Sequence, residues 1–264
     1  MWDILAYLAL GAFTGVVAGL LGVGGGLIIV PVLVWLFTRQ QVDSGIITHL
    51  AIGTSLATII PTAIASTLAH HRHGAVQWQV IRQMAPGVML GALAGATLAE
   101  FMSAVLLRQV FGVFEILMGI YLLMSLPPRP GRQLPGPAVL NTGGGMIGGV
   151  SALLGIGGGT LMVPFMVWFN IHLRQAIATA AATGLPIALA GTAGFMIHGW
   201  GHAALPAFSS GYVHWPAFAG IALAAFFTAR IGAWLTHRLP VKLVRRVFAL
   251  LLIGLGLRMI GVGG

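Results

Sequence analysis

A glycine-rich phrase occurs twice in this chain, as GLLGVGGGLIIVPVL from Gly19 to Leu33 and as ALLGIGGGTLMVPFM from Ala152 to Met166. Gly22 aligns with Gly155 and Pro31 with Pro164 at one constant offset. Gly22, Gly24, Gly25 and Gly26 oppose a continuous helix, each by roughly 1 kcal/mol relative to alanine. Irregular backbone at membrane depth is tolerated only where it lines a cavity. A duplicated helix breaker in two apolar halves therefore marks a carrier's binding site.

The composition makes a bilayer the solvent. Hydrophobic residues make up 58% of the 264 residues and charged residues 6%, against roughly 25% charged in a soluble domain. Thirteen Lys and Arg against four Asp and Glu give a net charge of +9. Because these basic residues flank apolar stretches, they read as topology signals, and no nucleic-acid partner is expected. The chain has no cysteine, which excludes disulfides, thiolate metal sites and a sulfur relay through the protein. The N-terminal MWDILAYLALGAF has Asp3 and no basic region, so the first segment is expected to be retained rather than cleaved.

Six segments read as ordinary membrane helices of about 20 residues. They run near Ile46 to Ala69, Met84 to Val105 and Leu106 to Leu126, then Ala176 to Ile197, Trp215 to Leu235 and Leu243 to Ile260. LLRQVFGVFEILMGIYLL from Leu106 aligns with LVRRVFALLLIGLGLRMI from Leu243, so the duplication reaches the end of each half. The expected fold is all-α and integral to the membrane. Its first repeat covers 1–126, a linker 127–137 and a second repeat 138–264, the linker prolines barring helix across PPRPGRQLPGP.

Trp2 to Phe37 is too long for one untilted span and is either a kinked crossing or a hairpin. The basic residues choose between these. Arg72 and Arg82 follow the first ordinary span, whereas the corresponding loop between Ile197 and Trp215 has no Lys or Arg. Placing those two with Arg129, Arg132, Arg238, Lys242, Arg245 and Arg246 in the cytoplasm requires three crossings per half. The expectation is two inverted-topology repeats, each a glycine-broken hairpin plus three helices, with both termini outside. Arg39 and Arg108 are exceptions to this charge pattern, and Glu100 opposes Arg108 locally.

A GxGGG turn feeding a helix exposes backbone N–H groups and a positive dipole end, which together form an anion cradle. Gly24, Gly25 and Gly26 and their counterparts Gly157, Gly158 and Gly159 are the candidate ligand-facing positions. Glycine suits them if the turn needs positive φ or close approach of a solute; close helix packing is the alternative. Leu27 and Thr160 follow the motifs where a nucleotide-binding loop would have Lys and Ser/Thr. Thr54, Ser55 and Thr183 lie on the following spans, where their hydroxyls either complete an oxyanion's shell or bond their own helix. The run His70, His71, Arg72, His73 reads as a basic rim rather than a metal site, because adjacent helical histidines diverge.

Two G-x-G-G-G motifs, each followed by a proline, in a small membrane protein of two similar halves resemble the TauE/SafE family, also called the sulfite exporter or TSUP family. The resemblance covers essentially the whole chain. It implies a secondary transporter of the bacterial inner membrane that moves sulfite or an organosulfonate such as sulfoacetate. An anion channel, or an importer of another sulfur anion such as thiosulfate, is the alternative. No cofactor, metal or enzymatic activity is implied, and the partners are the sulfur anion, the lipid bilayer and, for coupling, protons.

Glu115, nine residues into its span, is the candidate for proton coupling, since intramembrane carboxylates are costly and functional by default. Packing against a neighbouring Arg is the alternative. Arg230 is a candidate to attract the anion or a snorkelling interfacial residue. His49, near the outer mouth of the span holding Thr54, is a candidate relay or a satisfied interfacial histidine.

Overall fold

A computed structural model of the chain describes residues 2–21, 25–124, 133–235 and 241–261. These form α1 (Trp2–Leu21), α2 (Gly26–Arg39), α3 (Ile47–Arg72), α4 (Trp78–Glu100), α5 (Ala104–Met124), α6 (Pro137–Leu153), α7 (Gly159–Trp168), α8 (Leu173–His198), α9 (Trp215–Leu235) and α10 (Val241–Gly261). A two-residue antiparallel ladder, β1 (Ser209–Ser210) with β2 (Val213–His214), lies in the loop before α9. In hydrocarbon a helix satisfies its own backbone, and these apolar runs do so.

In the first glycine phrase α2 begins at Gly26 after Gly25 in a turn, and in the second α6 ends at Leu153 and α7 begins at Gly159. In the first half the chain then doubles back. Gln40 Nε2, just past α2, donates to Asp3 Oδ1 at 2.9 Å and to the Tyr7 hydroxyl at 2.8 Å, near the start of α1. In the second half, the space beside Gly143 of α6 is filled by the Phe165 ring of α7, 3.0 Å from where a Cβ would sit.

Five helices, α1, α3, α5, α8 and α9, are long and apolar enough to cross a membrane by length and composition. This differs from the expected set of spans. α1 qualifies alone, whereas α4 carries Gln79, Arg82, Gln83 and Glu100, and α10 carries Arg245, Arg246 and Arg258. α4 also runs from Trp78 to Glu100 rather than from Met84 to Val105. Ser103 explains that earlier stop: its carbonyl accepts from Leu107 N at 2.9 Å and its hydroxyl from Leu106 N at 3.2 Å, which starts α5. The linker positions Arg129 and Arg132, and Arg238 beyond α9, lie outside the described residues, as does the side chain of Lys242.

Helix pairing crosses between the halves. α4 lies parallel to α6, with Gly91 against the Gly145 carbonyl and Gly95 against that of Gly149. α1 lies parallel to α9, with Gly11 against Ile221 and Gly15 against Ala225. The first helix of each half thus packs along the fourth helix of the other, and missing side chains let the backbones touch. α3 and α8 run antiparallel through the centre, Gly53 against Phe195 and Gly184 against Ala63; α5 and α10 are antiparallel at the side, Gly112 against Gly256 and Gly119 against Ile253. Leu33, Leu50, Ile52, Leu56, Met84 and Ile187 fill the centre, while Leu90, Leu117, Phe227 and Leu250 face outward, as contact with lipid chains requires.

Candidate anion site at the glycine turns

The tips of the two broken hairpins touch. Gly26 opens α2, and a Cβ there would strike the Gly155 carbonyl and lie 2.9 Å from Ile156 Cα. Gly155 sits at φ +66°, a conformation that an L side chain rarely adopts. Among the described motif glycines, Gly155 is the one with positive φ. Gly25 at φ −66° and Gly158 at φ −56° are right-handed, so their φ does not demand glycine.

Close approach to backbone explains Gly158 instead, while Gly25 meets only side chains. A Cβ at Gly158 would lie 3.2 Å from the Ala180 carbonyl and 3.3 Å from Gly184 N, and one at Gly25 would lie 3.3 Å from Thr14 Cβ. Gly157 and Gly159 are buried, and Gly159 begins α7. Gly24 lies outside the described residues.

Gly25 and Gly158 are the N-caps of α2 and α7, and neither helix has a side-chain cap. The first N–H groups of each helix therefore lack intrahelical acceptors, and the positive end of α2 lies against the turn that precedes α7. The buried polar residues are threonines, serines and histidines together with Glu115, so the surroundings are hydroxyl-rich and low in charge.

Among the hydroxyls expected at the site, Ser55 reaches a turn directly: its Oγ donates to the Gly155 carbonyl at 2.8 Å. Thr54 holds a loop, accepting from His214 N at 3.0 Å. Thr183 bonds back to Thr179 O of its own helix at 2.8 Å. The counterpart of Thr54 by role is Thr179, which accepts from Gln77 N at 3.0 Å. Each central helix thus pins a loop of the other half, α3 the one before α9 and α8 the one before α4.

Two residues outside the expected set flank the second turn. Ser151 and Thr160 are buried, and neither hydroxyl has a partner among the described residues. Thr160 directly follows Gly159, and Ser151 precedes Gly155 by one helical turn, so their placement beside the motif was the available signal. A buried hydroxyl without a partner is costly, so both side chains have a hydrogen bond to give to a ligand or an ordered water.

The remaining candidates lie elsewhere. Glu115 is fully buried against α10, where a Cβ on Gly256 would lie 3.1 Å from Glu115 Cβ, and neither of its oxygens has a partner among the described residues. Arg230 faces outward from α9. His49 Nε2 lies 2.9 Å from the Ala99 carbonyl, and its ring lies 5.2 Å from that of Tyr212. Burial, and then the Glu100 carboxylate, push the Tyr212 phenol up to about 12, so it stays a neutral donor beside this end of α3. His71 Nδ1 accepts from Trp78 Nε1 at 3.1 Å, which gives that histidine a structural partner.

The model of the family described as "Sulfite exporter TauE/SafE" matches residues 7–259. The chain belongs to the TauE/SafE family. A probable membrane transporter protein of Haemophilus influenzae is 35% identical over 257 residues, covering 97% of each chain. The probable membrane transporter protein YunE of Bacillus subtilis is 28% identical, covering 96% of each. No solved structure gives a significant match. This TauE/SafE protein is a multi-pass inner-membrane transporter and not an enzyme.

Proposed function

We propose that this TauE/SafE member is a secondary carrier for a small sulfur-containing anion, sulfite or an organosulfonate such as sulfoacetate, and that it works as an exporter. The anion sits where the two glycine turns meet. The observation that carries this reading is the contact of Gly26 with Gly155, which sets the N-terminus of α2 against the turn that leads into α7. Amides and hydroxyls bind an oxyanion without a buried arginine, whose countercharge would hold the anion too firmly for release. Ser151 and Thr160 supply the open donors, and Ser55 orients the second turn through Gly155.

The two halves act as inverted repeats. Support comes from the helix registers, in which parallel α1/α9 and α4/α6 accompany antiparallel α3/α8 and α5/α10. Alternating access then follows from rocking one half against the other about the shared turns. Glu115 carries the coupling proton.

Purified protein in liposomes, assayed with sulfite, sulfate, thiosulfate, sulfoacetate and taurine, tests the reading. The expected result is saturable counterflow of sulfite or sulfoacetate, with zwitterionic taurine a poor substrate. Failure of all five anions to exchange would remove the proposal. Flux of several anions that does not saturate would replace it with a channel.

A further inference from the structure

Three arginines gather at the end of the molecule where α1 begins. Arg39 is the last residue of α2, Arg108 lies in the second turn of α5, and Arg258 lies in the last turn of α10. The guanidinium carbon of Arg39 is 4.5 Å from the Trp35 ring centroid, and that of Arg258 is 5.7 Å away. Arg108, Arg258 and Trp35 line one cleft of about 100 Å³, walled by Pro31, Val34 and Leu255.

Helix ends account for part of this. Arg39 and Arg258 sit at helix C-termini, which favour a cation, but Arg108 is near the N-terminus of α5, which does not. Arg108 Nε is buried and has no partner among the described residues. Charge-based topology also leaves Arg39 and Arg108 unexplained, because they lie at the end opposite the basic loop carrying Arg72 and Arg82. Trp35, exposed beside the cleft, is the kind of side chain that settles at headgroup level.

We propose that Arg108, Arg258 and Arg39 bind the phosphate of an anionic phospholipid, with an acyl chain against Pro31, Val34 and Leu255. The arginines supply charge-assisted donors for the phosphate oxygens, and Arg108 gains the acceptor it lacks. The apolar wall favours a lipid over free phosphate, which has no chain to bury. This site is separate from the glycine turns, and the assignment does not depend on which anion they carry.

Native mass spectrometry of the full chain tests the assignment, using mixed micelles of equal phosphatidylglycerol and phosphatidylethanolamine and a parallel titration with inorganic phosphate. The expected result is preferential retention of one phosphatidylglycerol. Arg108→Gln and Arg258→Gln should each weaken that retention about five-fold, as loss of one interfacial charge implies, and Arg258→Lys should largely preserve it. Should Arg108→Gln not fold, Arg39→Gln with Arg258→Gln reads the same dependence, since both side chains face outward. Equal retention of the two lipids, or retention indifferent to the arginines, overturns the proposal. Arginine-dependent binding of phosphate without any lipid preference overturns it too, and assigns the cleft to a soluble oxyanion.

Discussion

Gly26 and Gly155, far apart in sequence and in different halves, are in backbone contact: any side chain on Gly26 collides with the Gly155 carbonyl. Gly26→Val should therefore force the turns apart, at a cost of about 1–3 kcal/mol for overpacking. Transport in proteoliposomes should be lost while the protein still inserts. Gly25→Ala meets neighbours no closer than 3.2 Å, one of them the flexible end of Ile29, and should retain transport. Similar uptake by both variants would show that the tip contact is not functional.

The open hydroxyls of Ser151 and Thr160 should be felt in affinity. Ser151→Ala and Thr160→Val each remove one donor, worth about 1 kcal/mol, and should raise the substrate KM roughly five-fold with little change in thermal stability. Unchanged KM in both variants would exclude these side chains from the anion's shell.

Thr54 and Thr183 should part company. Thr54→Val leaves the buried His214 N–H without its acceptor and should destabilise the protein by about 1–3 kcal/mol, seen as a lower melting temperature in detergent. Thr183→Val gives up only a bond to its own helix and should melt close to wild type. The reverse order would point to a ligand-binding hydroxyl at Thr183.

Glu115→Gln should keep exchange of substrate for substrate but lose accumulation driven by a pH gradient, because only the latter moves a proton. A retained gradient response would shift suspicion to His49, whose Nδ1 is also buried without a partner among the described residues.

If the repeats are inverted, the α3–α4 and α8–α9 loops lie on opposite sides. Single cysteines at His73 and at His202, in a chain that has none of its own, should react with an impermeant maleimide from opposite faces of oriented vesicles. Labelling of both from one face would rule the inversion out.

The turns that precede α2 and α7 are legible in the sequence because glycine propensity is a local property. So are the six other helices, although α4 and α10 carry more polar and charged residues than a span read by hydropathy. The meeting of Gly26 with Gly155 is not legible, since no local pattern states which turn touches which. The role of Thr54 is hidden for a related reason. Its partner is an amide in GWGHAALPAFSSGYVH, a segment whose two-residue strands carry no periodic signal. Positive φ and close approach are both open to a glycine turn read from sequence, and only the backbone shows that Gly155 takes the first while Gly26 takes the second. The glycines of NTGGGMIGGV, from Asn141 to Val150, align α6 with α4, and that role becomes visible only once the partner helix is known.

The pairing of α1 with α9 also sets an order of events during synthesis. Gly11 and Gly15 are made near the start of translation, whereas Ile221 and Ala225, the backbone they fit, come about 210 residues later. At 5–20 residues per second that is a delay of roughly 10–40 s. Through that interval α1 stands in the bilayer with its glycine face uncovered, tolerable because its backbone is already internally bonded. The α6 helix, by contrast, emerges after its partner α4 is in place. The second half therefore assembles onto a waiting surface, and the molecule closes only when its ninth helix arrives.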